Sequence, residues 1–145
     1  MNKEVITRRE ILFRGKRTDN GEWVEGYYYK AKYCRTDDEL CDYITVPHPK
    51  EYNEPSSHYI VIPETVGQYT GLKDKNGKKI FEGDIVKGKD NYERNLAVSG
   101  YVDHENGSFV IVGELMIHYR WLDYELEVIG NIHDNPELLR GDTNA

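Results

Sequence analysis

The chain has 145 residues, 38% hydrophobic, 31% charged and 12% aromatic, with a formal net charge of -7. That length suits one compact domain, or two very small ones sharing a core, with no disulfide or metal needed to fold, and the aromatic content is too high for a disordered chain. Mean hydropathy is -0.76; the longest aliphatic run is Ile60-Val61-Ile62 and Met1 to Val5 hold no apolar stretch, so no transmembrane helix or secretory signal is expected and the location expected is cytoplasmic.

The charge is uneven along the chain. Residues 1–17 hold six basic residues against Glu4 and Glu10, a local +4 that leaves -11 for the rest. An acidic body opposes broad phosphate-backbone binding, which depends on counterion release by a basic surface. Nucleic acid is therefore the weaker expectation, with Arg8, Arg9, Arg14, Lys16 and Arg17 as its candidate contacts on a basic N-terminal strand.

Strands are expected at 9–15, 22–31, 42–46, 58–63, 79–88, 96–104, 107–113, 116–121 and 125–132. Period-two spacing of β-branched and aromatic residues favours strand over helix in these windows. Three Asn-Gly pairs, Asn20-Gly21, Asn76-Gly77 and Asn106-Gly107, each lie between apolar segments. Such pairs accept positive φ and favour type I′ hairpins, so the expected class is all-β and mainly antiparallel. Tyr27-Tyr28-Tyr29 places rings on both faces of one strand. With 12 Tyr against three Phe in the chain, these rings and Trp23 are a candidate interface, because Tyr buries a ring while keeping its hydroxyl wet.

Helix signals are few. Thr36-Asp37-Asp38-Glu39 fits a capping box, with at most two turns to follow. Asn135-Pro136-Glu137 fits an N-cap, a proline at the first position and an acidic first turn, so a short C-terminal helix is expected. Residues 140–145 are expected to fray. Segment 47–57 holds three of the five prolines and reads as a loop.

Chemistry-bearing motifs are weak. Gly71 to Gly77 followed by Lys78-Lys79 has one residue too many for a P-loop and no hydroxyl for magnesium. Ser56, Ser57, Ser99 and Ser108 lie in no nucleophile elbow. Glu82/Asp84 and Glu125/Glu127 share strand faces by spacing, which reads as turn capping and a solvated face. The five histidines are scattered singly, and Asp103-His104-Glu105 alternates faces as a strand. Cys34 and Cys41 are spaced unlike a zinc knuckle or redox motif and are expected as free thiols in a reducing compartment. No catalytic residue, metal or cofactor is expected.

The most specific stretch is residues 67–87, with a hairpin turn at Asn76-Gly77 and a second tight turn at Glu82-Gly83-Asp84. Gly83 supplies a φ that side chains resist, and Ile85-Val86 begin the next strand. This Glu-Gly-Asp-Ile-Val stretch is similar to the first strand of small Src-homology-3-like barrels. Ile11 to Lys16, Tyr69 to Gly77 with Ile80 to Val86, and Glu127 to Leu138 together resemble the YopX family of phage and prophage proteins, over about 10–138. The resemblance implies a mostly β protein of bacterial mobile elements, with no activity to carry over residue by residue.

The expected organisation is an N-terminal β region over 1–63, with a variable insertion at about 31–63, and a bent, barrel-like unit over 64–139. Ile85, Val102, Phe109, Ile111, Val128 and Ile132 are its expected core. The expected role is a non-enzymatic accessory protein that binds a protein partner or assembles with itself.

Overall fold

The computed structural model describes residues 8–32, 40–47, 57–90, 97–113, 118–119 and 124–139. The capping box at 36–39, most of the 47–57 loop, Cys34 and the 140–145 tail lie outside the described residues. The described chain is all-β, built as two antiparallel sheets.

The first sheet has six strands, β1 (Phe13–Lys16), β2 (Trp23–Ala31), β3 (Cys41–Val46), β4 (Ser57–Ile60), β5 (Gly67–Lys73) and β6 (Lys79–Phe81), in the order β4-β3-β2-β1-β5-β6. It curls strongly. After β4 the chain returns to the end of β1, where Arg17 bridges Val61, Thr18 N–H donates to Ile60 O at 3.0 Å and Ile62 N–H to Lys16 O at 2.8 Å. The buried Ile44 and Val61 lie in this curl, with Phe13 against Tyr28 at 5.5 Å between ring centres. Tyr28 donates to buried Asp42 at 2.6 Å. Burial, and then Asp42, push its hydroxyl pKa up to about 12.

The second sheet has five strands, β7 (Asp84–Asp90), β8 (Ala97–Glu105), β9 (Ser108–Val112), β10 (His118–Tyr119) and β11 (Tyr124–Asn131), in the order β10-β9-β8-β7-β11. One face buries Val86, Val98, Val102, Ile111 and Leu126, with Phe109 and Val128 packed beside them. Of the core expected from the pattern, Ile85, Val102 and Ile111 are fully buried, whereas Phe109, Val128 and Ile132 are partly so. Among the three Asn-Gly pairs only Asn106 and Gly107 both take positive φ, +51° and +83°, as a type I′ turn requires.

Four expectations are corrected. The second sheet does not close into a barrel: closure would need the free edge of β11, and the turn after β5 occupies it. Lys75 N–H donates to Leu126 O at 2.9 Å, and Val128 N–H donates to Asp74 at 3.0 Å. The short C-terminal helix is a single 3-10 turn, Pro136–Leu139. The window 79–88 is two strands parted by the tight turn expected at Glu82-Gly83-Asp84, and β5 and β6, both after residue 63, join the first sheet. Cys41 is disulfide-bonded, and Cys34, the other cysteine of the sequence, lies outside the described residues. The free-thiol expectation came from compartment, not geometry.

The β5–β6 hairpin belongs to both halves. Its ladder is with the first sheet, yet Ile80 is buried in the core of the second. Asp74 fixes its tip: one oxygen accepts Asn76 N–H and Lys78 N–H, each at 2.9 Å, and the other accepts Val128 N–H from β11. Burial is the largest influence on this carboxyl and raises its pKa. The three amides together outweigh burial and hold it below the usual carboxylate range. Asp74→Ala leaves three N–H groups unmet and is expected to lower unfolding free energy by roughly 3–5 kcal/mol in urea titration. Ile85→Ala is expected to cost about 2–5 kcal/mol through its cavity. An Asp74→Ala loss under about 1 kcal/mol would mean that the tip is held by other contacts.

Candidate functional site

The three stretches that carry the resemblance meet where the sheets join. Alternation along β1 puts Arg14 and Lys16 on one face, and their ladder partners on β2 are Glu25 and Trp23. Asp84 arrives through the Glu82-Gly83 turn, and Asn131 to Asn135 arrive from the turn that ends β11. Gly83 sits at φ +90°, where L side chains are strained; its N–H donates to Val102 O at 2.8 Å and its carbonyl accepts from Ile132 N–H at 2.9 Å. The turn is thereby stitched to β8 and to the end of β11.

Arg14 is the centre of this junction. Its Nη2 lies 2.8 Å from Asp84 Oδ1, and both side chains are buried. The guanidinium carbon lies 4.6 Å from the Trp23 ring centre on β2 and 4.9 Å from that of Phe81 on β6, both within cation–π distance. Nη2 is held by Asp84, whereas Nε has no hydrogen-bond acceptor among the described residues, and both nitrogens are closed off from solvent. Asp84 Oδ2 accepts Phe81 N–H at 2.8 Å. Burial raises the Asp84 pKa against the opposing pull of Arg14 and the Phe81 amide.

A second cluster closes the junction. Asp134 accepts from Lys16 Nζ, from Trp23 Nε1–H at 2.7 Å and from Asn131 Nδ2 at 3.2 Å. The Lys16 bond first, and the Trp23 bond next, hold its pKa down at about 2. Asn131 Oδ1 accepts the backbone N–H groups of His133 and Asp134 at 3.0 and 2.9 Å, which sets the turn. The His133 ring lies 5.9 Å from Trp23. Burial, and then nearby Arg14, lower its pKa. Between the clusters opens a cleft of about 460 Å³ lined by Arg14, Trp23, Glu25, Lys78, Asp84 and the 130–135 turn.

The residues named from sequence are dispersed. Of the candidate nucleic-acid contacts, Arg8 and Arg9 are exposed, Arg14 is paired with Asp84, Lys16 with Asp134, and Arg17 with Asp19 at 2.6 Å. Of the candidate interface, Trp23 is half-buried in the junction and Tyr28 points into the curl. Tyr29 stacks on Tyr43 at 5.2 Å and 11°, and Tyr27 stays 58% exposed. Register puts Tyr27, Tyr29, Tyr43, Thr45, His58 and Ile60 on one face of β2-β3-β4. The Tyr29 and Thr45 hydroxyls lie 3.0 and 2.8 Å from His58 Nδ1. Asn20, Gly21, Asn76, Gly77 and Asp84 all lie at turns or strand starts. The roles of Trp23, Asn131, His133 and Asp134 at the junction were missed. The available signal was the Asn131-x-x-Asp134-Asn135 spacing of side-chain-to-backbone turns.

A family model described as YopX protein matches residues 12–140, a span holding every segment of the junction. The chain belongs to the YopX family. Among solved structures, this YopX chain is similar to protein EF1440 from Enterococcus faecalis, a crystal structure matched over 91% of this chain and 99% of that one, with 25% identity and a TM-score of 0.47. No curated protein matches the chain. No helix among the described residues is long and apolar enough to cross a membrane.

Removing either partner of the buried pair has unequal effects. Asp84 can take up a proton when Arg14 is lost, whereas an abandoned guanidinium stays charged. Asp84→Ala is therefore expected to cost roughly 3–5 kcal/mol and Arg14→Met less, in denaturant titrations at neutral pH. With its folded pKa already raised, the unpaired Asp84 of Arg14→Met penalises folding only where it must ionise. That variant should lose stability relative to wild type as pH rises through the carboxylate range.

Asp134 has the opposite sign. Its depressed pKa means its stabilisation is whole above the ordinary carboxylate pKa of about 4 and is lost as pH falls toward 2. The stability gap between wild type and Asp134→Asn should shrink over that interval, and a gap constant down to about pH 2 would contradict the Lys16–Asp134 contact.

Proposed function

We propose that this YopX-family chain is a phage- or prophage-encoded accessory protein of the bacterial cytoplasm. It works without catalysis, by holding a protein partner or further copies of itself. One observation carries this reading: the outer face of β2-β3-β4 presents Tyr27 at 58% and Ile60 at 40% exposure, around the half-buried Tyr29 that stacks on buried Tyr43. Exposed rings and branched aliphatics on one face are what interface cores are made from. The face runs to β4, the end strand of its sheet, which pairs with β3 alone among the named strands. The β1 end takes its edge at Ile60, so the exposed rings and not the strand edge carry the contact.

The charged residues support the same reading. Arg14, Lys16 and Arg17 each face a carboxylate of the same chain, which leaves Arg8 and Arg9 as the exposed basic residues of the segment without an ion pair among the described residues. The Tyr29–Tyr43 stack also shows why the rings of β2 are not all surplus: β3, from the expected insertion, covers part of the strand.

Light scattering at micromolar concentration tests the reading. The expected mass is a multiple of the 16.9 kDa chain, and Tyr27→Glu with Ile60→Asp should reduce it to one chain without loss of fold. A wild-type monomer that also captures no protein from induced host cells would count against the reading. A salt-sensitive gel shift on duplex or single-stranded nucleic acid would favour the rival.

A further inference from the structure

We propose that Asn106, at the tip of the β8–β9 hairpin, is a site of self-modification, where the chain cyclises through Gly107 and reopens as isoaspartate. This goes beyond the aromatic face and does not depend on it. Asparagine is among the thermolabile side chains. In the reaction the Gly107 amide nitrogen loses its proton and attacks Asn106 Cγ. The new N–C bond closes a five-membered succinimide, and ammonia leaves carrying that proton. Water then opens the ring at one of its two carbonyls, giving aspartate or β-linked isoaspartate. Water is the only co-reactant, and nothing is oxidised or reduced.

A glycine after the asparagine leaves the attacking nitrogen unhindered, and the sequence holds three such pairs. The fold separates them. Gly21 N–H donates to Arg17 O at 3.0 Å, and Asn20 Oδ1 accepts Glu22 N–H at 2.9 Å. Gly77 N–H donates to Asp74 O at 3.0 Å, while the Asp74 carboxylate holds the amides of Asn76 and Lys78, each at 2.9 Å. At the third pair, neither the Asn106 side chain nor Gly107 N–H has a hydrogen bond among the described residues. Both residues are exposed, and nothing lies within 4 Å of the place a Cβ would take at Gly107.

Backbone shape favours the same pair. The ring closes when Gly107 N eclipses Asn106 Cβ about the Cα–C bond, which for an L residue means ψ of roughly -120°, the value at the first central residue of a type II′ turn. At negative φ that ψ lies outside the main allowed regions. Asn106 already has φ +51°, and among the described residues no other side-chain-bearing residue has positive φ. Types I′ and II′ share positive φ at this position, and both fit a two-residue hairpin. They differ by rotation of the peptide plane between the two central residues. Turning the Asn106–Gly107 plane therefore reaches the reactive shape with the Glu105–Ser108 pair still in register. Asn20 and Asn76 must first break the bonds of their turns.

The product changes the tip. Isoaspartate adds a methylene to the main chain, so the two-residue connection between Glu105 and Ser108 is lost. It also adds a carboxylate next to Glu105, in a chain whose net charge is already -7.

The test compares folded protein with protein in urea, both kept in one mildly alkaline buffer. Samples are digested at acid pH and mapped by mass, with aspartate and isoaspartate peptides separated by chromatography. Each Asn-Gly pair then has a folded and an unfolded rate, and their ratio cancels the effect of neighbouring sequence. Folding is expected to slow Asn20 and Asn76 at least about fivefold more than Asn106, the effect of one hydrogen bond that must open first. Isoaspartate is expected as the larger product at 106. Equal slowing at all three pairs would overturn the proposal, as would a folded protein in which Asn20 or Asn76 is slowed least. So would aspartate without isoaspartate at 106, the mark of direct hydrolysis.

Discussion

Two aspartates turned inward hold the halves of this protein together. Asp74 at the tip of the β5–β6 hairpin and Asp84 just after it flank β6, and each reaches a different element. Asp74 accepts a β11 amide together with its own turn amides; Asp84 accepts the end of β6 and faces Arg14 of β1. Between them Ile80 enters the core of the second sheet. A chain of short strands that forms two open sheets has little to fix their relation except such contacts. Charged acceptors suit that task, since hydrogen bonds to a carboxylate are stronger than neutral ones and have direction. The cost is desolvation, visible in the raised pKa of Asp84. It is offset at Asp74 by three amides, and only partly offset at Asp84 by one amide and Arg14.

The Arg14–Asp84 pair belongs to the same framework as a buried strut. Its guanidinium lies beside the Trp23 and Phe81 rings, with Nη2 on Asp84 Oδ1. The exposed Tyr27 and Ile60 of β2-β3-β4 lie elsewhere on the first sheet.

The features legible in the sequence are the local ones. Alternation and turn residues are local, so the all-β class, most strands and the turns at Gly83 and Asn106-Gly107 were legible. Sheet membership is not local: β5, β6 and β7 follow one another through tight turns, and only the pairing of β5 with β1 puts the β5–β6 hairpin in the first sheet. Barrel closure failed for a related reason. The outer edge of β11 is occupied by Asp74 and Lys75, about fifty residues earlier in the chain, and no local pattern announces that. The start at Asn135-Pro136-Glu137 was legible as well, but it opens a single 3-10 turn, and the Asn135 side chain accepts Asn131 N–H, because asparagine serves both as a helix cap and as a side-chain-to-backbone turn former. Arg14 and Lys16 read as a basic strand because their acidic partners, Asp84 and Asp134, are distant in sequence. The family resemblance marked the right stretches without indicating that they meet.

The central claim is that the hairpin is a shared strut whose opening requires both sheets to come apart. Native-state hydrogen exchange tests it most directly, through the amides of Lys78, Phe81 and Val128. All three donate to Asp74 or Asp84. They are expected to exchange at the rate of global unfolding, alongside the amides of buried Val86 and Val102. Exchange of these three by local opening, with the cores of both sheets still protected, would contradict the account.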